Sequence, residues 1–152
     1  MKNALLIMTA LIWIGFSACS KSKTDQAACT GGATTFQGNE PFFLCYGTSA
    51  KGQDGNITLK VQFDEVFEDS RCPNDVVCVW QGRVDVGISC TIGNFTTSDT
   101  LRLGGLDGPP TSDSTIFQGY KIKLLKVDPY PEMAGTTIPA EDYKIRLLVS
   151  PE

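Results

Sequence analysis

Hydrophobic residues in this chain recur at every second position over several stretches, and that period confines those stretches to half-buried strands. Between Asn56 and Asp64, Ile57, Leu59, Val61 and Phe63 alternate with Thr58, Lys60 and Gln62. The same period runs through Val84, Val86, Ile88 and Cys90, and again through Tyr143, Ile145, Leu147 and Val149. Strands written this way turn one face to a core and the other to water. After Asp64 the phase slips, because Val66 falls on the even positions, and such a slip marks a bulge or the end of pairing. Residues 42–46, 95–103 and 120–127 are further strand candidates, each continuously apolar or changing phase within itself. Turn chemistry separates the candidates at Asp54-Gly55, Gly93-Asn94, Gly104-Gly105, Gly108-Pro109-Pro110 and Pro129-Tyr130-Pro131. No segment sustains a helical period, so helix is expected for a turn at most, near residues 75–79 or 140–143. About six or seven short strands at this spacing predict an all-β fold, a single antiparallel β-sandwich of Ig-like or related type, with a small barrel as the alternative.

The chain has 152 residues, room for one domain. Its first residues read as an address. Lys2 is followed by an apolar run over residues 4–16, of signal-peptide length and too short for a comfortable transmembrane helix. Ser17 and Ala18 then lead directly to Cys19. This ending resembles the lipobox of bacterial lipoprotein precursors, with Phe16 where Leu is usual. The resemblance implies that Cys19 receives a thioether-linked diacylglycerol, that the signal is cut before it, and that the new amino terminus is acylated. Two or three acyl chains, palmitate among them, give the stable anchorage that one chain does not. Ser20, in place of Asp, favours the outer membrane under the enterobacterial sorting rule. Residues 20–26 lack the acidic cluster that resembles a surface-export signal in Bacteroidetes lipoproteins, and the leaflet stays open. Residues 20–38 are mostly Ser, Lys, Thr, Gly and Ala, with too little apolar surface to offset ordering entropy. The expected division is therefore a signal peptide at 1–18, a lipidated cysteine with its tether at 19–38, and a β-sandwich domain at 39–152.

Composition excludes several functions. A net charge of -4 weighs against nucleic acid, which requires clustered Lys and Arg. The chain has no histidine, which removes Ser-His-Asp and Cys-His catalysis and the usual zinc hydrolase ligands. No catalytic residue and no cofactor are therefore expected. Asp64, Glu65, Glu68, Asp69 and Asp75 form a local acidic group of the kind that holds Ca²⁺, but strand alternation puts Asp64 and Glu68 on one face and Glu65 and Asp69 on the other. No metal site is expected there, and nothing marks the carboxylate pair of a glycosidase. Tyr46, Tyr120, Tyr130 and Trp80 form no visible carbohydrate-binding stripe. Asp99-Thr100-Leu101 and Asp113-Ser114-Thr115 resemble Bacteroidetes O-glycosylation sites, which makes Thr100 and Ser114 candidates if exposed.

Six cysteines in an exported chain suggest disulfides. With lipid on Cys19, one of the remaining cysteines stays unpaired. Cys72 and Cys78 lie close enough in sequence to close a compact loop. Cys29 with Cys45 is the next choice, leaving Cys90 free and buried beside Ile88, and a Cys45–Cys90 bridge is the alternative. A reactive thiol at Cys72 or Cys78 would lack both CxxC spacing and a neighbouring histidine.

Cys72 and Cys78 belong to the most distinctive segment, Glu68-Asp69-Ser70-Arg71-Cys72-Pro73-Asn74-Asp75-Val76-Val77-Cys78-Val79-Trp80-Gln81-Gly82. Its DSRCPxxVxCxWxG pattern resembles that of a group of small bacterial lipoproteins and secreted proteins common in Bacteroidetes, and the resemblance brings no activity with it. As a stapled corner, the segment would have Arg71 pairing with Asp69 or Asp75 and donating to nearby carbonyls, Pro73 stiffening the turn, and Trp80 capping the core. As a recognition loop, it would present Asn74, Asp75, Val76 and Val77 at its tip. The expected function is a membrane-anchored, non-catalytic binding or envelope-structural module, with membrane and envelope protein as partners. The alternative is a protease inhibitor that presents the Cys72–Cys78 loop.

Overall fold

The computed structural model describes residues 29–105 and 113–152. The signal segment, Cys19, the tether as far as residue 28 and the Gly108-Pro109-Pro110 turn lie outside the described residues. The described chain forms nine strands, β1 (Thr35–Phe36), β2 (Phe42–Cys45), β3 (Ser49–Asp54), β4 (Ile57–Asp69), β5 (Arg83–Ile92), β6 (Phe95–Gly104), β7 (Ser114–Phe117), β8 (Tyr120–Asp128) and β9 (Lys144–Pro151). A single 3-10 turn, Ala140–Asp142, falls at one of the two places expected for helix. One sheet has the order β1-β3-β4-β5-β6 and faces a second of order β2-β9-β8-β7. The two sheets pack as a β-sandwich and do not close into a barrel. Pairing is antiparallel except for β1 beside β3. The connections form two meanders, β3 to β6 and β7 to β9, so the layers resemble an immunoglobulin sandwich while the connections differ.

The core follows from the alternation. Leu59, Val61 and Phe63 of β4 and Val84, Val86, Ile88 and Cys90 of β5 are buried, and Ile145, Leu147 and Val149 of β9 face them from the other sheet. The slip after Asp64 is a bulge: Phe63 pairs with Ile88, whereas Glu65 pairs with Gly87, and a second shift follows between Val66 and Glu68. Val66 thereby packs against the core from an even position. A bulge between Leu124 and Lys126 likewise explains the changed phase of β8, in which Ile122, Leu124 and Val127 are all buried.

Three strands carried no sequence signal. β3 buries only Ala50 and Gly52, so it offers no apolar alternation, yet it pairs with β4 over its whole length through the Asp54-Gly55 turn. β1 and β7 are too short to show a period.

The tether expected to reach residue 38 ends earlier, because residues 29–38 are tied to the domain. Cys29 is bonded to Cys45, the Ala33 amide donates to the Phe43 carbonyl at 2.8 Å, and Thr35 and Phe36 pair with Lys51 and Gly52. The Phe36 ring stacks on Phe42 with centroids 4.4 Å apart and lies directly over Gly52, where a Cβ would collide with it. Contacts with existing sheet edges supply the burial that this segment's composition lacks.

Candidate functional site: the stapled loop and its neighbour

The segment between β4 and β5 is built on the end of their ladder. Beyond Asp69 the pairing continues in loop form: the Ser70 amide donates to the Arg83 carbonyl at 2.8 Å, and the Cys72 amide to the Gln81 carbonyl at 2.9 Å. Gly82 permits this closure, because its φ of 66° is left-handed and a Cβ there would strike the Ser70 carbonyl. The Cys72–Cys78 disulfide, with Cα atoms 5.9 Å apart, closes the loop above this base.

Arg71 fixes the base to the opposite sheet. Its Nε and Nη2 donate to the two oxygens of Asp69 at 2.8 and 2.6 Å, Nη1 donates to the Val127 carbonyl at 2.7 Å, and Nη2 also donates to the Pro129 carbonyl at 2.8 Å. The Tyr143 hydroxyl donates to Asp69 Oδ2 at 2.9 Å. Burial alone would raise the Asp69 pKa, but the bonds and charge of Arg71, with the Tyr143 hydroxyl, outweigh it and hold the carboxyl below its ordinary value. Burial and the adjacent Asp69 carboxylate push the Tyr143 phenol up. The guanidinium also lies 4.9 Å from the Tyr130 ring centroid. Of the two partners expected for Arg71, the structure chooses Asp69. Asp75 instead accepts from the Ala134 amide at 2.9 Å, and the Asn74 amide donates to the Pro131 carbonyl at 3.1 Å. The stapled loop is thus braced along one side by residues 129–134.

What remains outside is apolar. Val77 and Val79 are fully exposed, Trp80 is 66% exposed, and Val76 is exposed beside them. Trp80 therefore does not cap the core, and the buried Tyr143 closes that end instead. The bracing loop adds exposed Tyr130 and Met133. Of the four expected tip residues, all are exposed, but Asn74 and Asp75 turn polar groups toward the bracing loop while Val76 and Val77 face solvent. Val79 and Met133 carried no expectation from the sequence, and Trp80 and Tyr130 were expected in other roles, Trp80 as a cap on the core. The one available signal was an apolar run, Val76-Val77-Cys78-Val79-Trp80, with no strand alternation to bury it.

The remaining candidates are dispersed. Cys29 pairs with Cys45, so the Cys45–Cys90 bridge does not form, and Cys90 is a buried free thiol whose pKa burial pushes up to about 12. The acidic group does not converge. Asp64 accepts from Gln62 and Ser89, Glu68 pairs with Arg83, and Asp69 and Asp75 are held as described. A carboxylate outside this group is more buried: Asp85, 6% exposed on the outer face of β5, accepts from Arg102 Nε and Nη2 at 2.7 and 2.8 Å. The Arg102 bonds hold its pKa down against burial. Thr100 is exposed on β6, whereas Ser114 is half-buried at the start of β7.

The chain enters the described structure beside the loop. Cys29 and Thr30 line a surface cleft of about 580 Å³ together with Asn74, Tyr130 and Glu132. No family model matches the chain, and no curated protein or solved structure matches it either.

Proposed function

We propose that this protein is a lipid-anchored, non-catalytic lipoprotein of the bacterial envelope, attached through Cys19 to the outer membrane, whose β-sandwich makes its contacts through the Cys72–Cys78 loop. The observation that carries the contact surface is the exposure of Val77, Val79 and Trp80 on a loop pinned by a disulfide, a ladder extension and a second loop. Solitary exposed apolar residues need no explanation, but a cluster on a braced protrusion marks an interaction surface. Covering these three side chains would gain on the order of 5 kcal/mol before the costs of association. Because the loop is already ordered, little of that gain goes to ordering it. The anchor rests on the segment ending in Ser17-Ala18-Cys19, and the non-catalytic reading rests on the absence of histidine and on arginines neutralising two enclosed carboxylates, Asp69 and Asp85.

Photo-crosslinking in living cells from a probe at Val77 tests the contact surface. Reproducible capture of one partner, protein or lipid, supports it, and labelling by water alone at that site, with capture instead from the sheet faces, sinks it. The protease-inhibitor reading is favoured by one observation, the projection of Val76 and Val77 from a closed loop. Inhibition that disappears when residues 74–77 are replaced would establish it, and no inhibition across protease classes removes it.

A further inference from the structure

We infer that the stapled-loop end of the sandwich docks on the lipid bilayer itself, so that Val77, Val79 and Trp80 form a second, non-covalent membrane contact beside the Cys19 anchor. The inference rests on the lipoprotein reading and adds an orientation to it.

Three observations converge on the bilayer. The first is where the chain enters. Cys29 and Thr30 share a cleft with Asn74 and Tyr130, so the segment leading back to Cys19 leaves the domain at the stapled-loop end. The Asp54-Gly55 and Gly93-Asn94 turns and the turn at Gln118 and Gly119 lie at the other ends of the strands. The second is reach. Nine residues lie between Cys19 and Cys29, and the ten steps of chain from one to the other span at most about 35 Å. The thirteen residues of β4 alone extend about 43 Å, so the short leash keeps the loop end nearer the membrane than the far turns. The third is chemistry. Residues 76–81 carry no charge, and they present two fully exposed valines and a tryptophan, with Tyr130 and Met133 on the adjoining loop. Aliphatic residues accompanied by Trp and Tyr suit the boundary between headgroups and acyl chains, where an apolar body is buried and a polar edge stays wet. An uncharged apex also needs no anionic lipid. Tethering raises the local concentration of lipid at the loop, so a weak insertion is populated.

Removal of the signal takes Trp13 with it and leaves Trp80 as the sole tryptophan of the mature chain, which makes it a depth probe. The lipidated protein, isolated from membranes, is reconstituted into phosphatidylethanolamine–phosphatidylcholine vesicles with and without phosphatidylglycerol. Expected are blue-shifted Trp80 emission and quenching by lipids brominated near the headgroup, with equal quenching in both compositions and at low and high salt. In V77D/V79D, quenching should fall about threefold or more while the protein stays vesicle-bound through its lipid. Trp80 that remains open to aqueous iodide and untouched by bromolipid, in a protein whose intact mass shows acylated Cys19, overturns the docking and leaves the anchor standing. So does capture of a protein from Val77 in cells when bromolipid fails to quench. An intact mass showing unmodified Cys19 in membrane-isolated protein overturns the anchor, and this inference with it.

Discussion

Arg71 is the residue on which the loop end of the domain depends. It neutralises Asp69, which is nearly enclosed, and it binds one carbonyl of the opposite sheet, Val127, and one of the loop that follows it, Pro129. Removing one partner of such a pair leaves the other charge buried, so Arg71→Ala should cost about 3–5 kcal/mol in urea unfolding. Arg71→Ala with Asp69→Ala should cost less than the sum of the single changes. Simple additivity would show that the two side chains act separately. Acid reads the same contacts. Asp69 and Asp85 both have lowered pKa values in the fold, so the unfolded chain takes up their protons first as pH falls. Their contribution is complete well above the ordinary value of 3.8 and is lost as pH falls through it toward the folded values. Unfolding midpoints should therefore decline between about pH 5 and pH 2, and Asp69→Asn should flatten that decline. An unchanged slope would remove Asp69 from the account.

At the scale of elements, the staple and the ladder beneath it make separable contributions. Closing a loop of six or seven residues stabilises by about 2 kcal/mol in the chain-entropy description. Replacing Cys72 and Cys78 by serine should lower stability by that amount or less and speed amide exchange in residues 73–80. The β5 amides should stay protected, because the Ser70–Arg83 and Cys72–Gln81 bonds need no disulfide. Loss of protection throughout β5 would mean that the staple holds the sheet. Gly82→Ala strikes the base itself and should cost at least about 1 kcal/mol by the same measurement. The strands also show what a period can reveal. In β4 and β8 a phase change was visible in the sequence, and in each it is a bulge that returns apolar residues to the core. β3 was invisible because its polar side chains are held by backbone pairing to β4, and a pairing partner leaves no mark on the strand that borrows it.

For the whole molecule, the sandwich carries Val77, Val79 and Trp80 on a protruding loop at one end, while Ile57 and Phe95 are exposed beside the turns at the other. Val77→Asp and Val79→Asp lie on full exposure and should leave the free energy of urea unfolding within about 0.5 kcal/mol of the parent. The same changes should weaken contact through the loop, read by the fall in Trp80 quenching. A substantial loss of stability instead would place these valines in packing, and the contact surface would have to be sought on the sheet faces.

The sequence by itself determined the all-β class, the inward faces of β4, β5 and β9, and the Cys72–Cys78 loop, since alternation and spacing are local properties of a chain, but it left Cys45 to pair with either Cys29 or Cys90. It also supplied Arg71, Asp69 and the four tip residues as candidates. Tertiary structure decided the rest. Which carboxylate Arg71 takes depends on the Val127 and Pro129 carbonyls arriving from the other sheet and the loop that follows it. Whether Trp80 is core or surface depends on Tyr143 having already closed that end. Residues 29–38 join the domain only because edge strands lie ready to receive them. In each case the deciding partner is distant in sequence, and the contact exists only once the two sheets have packed.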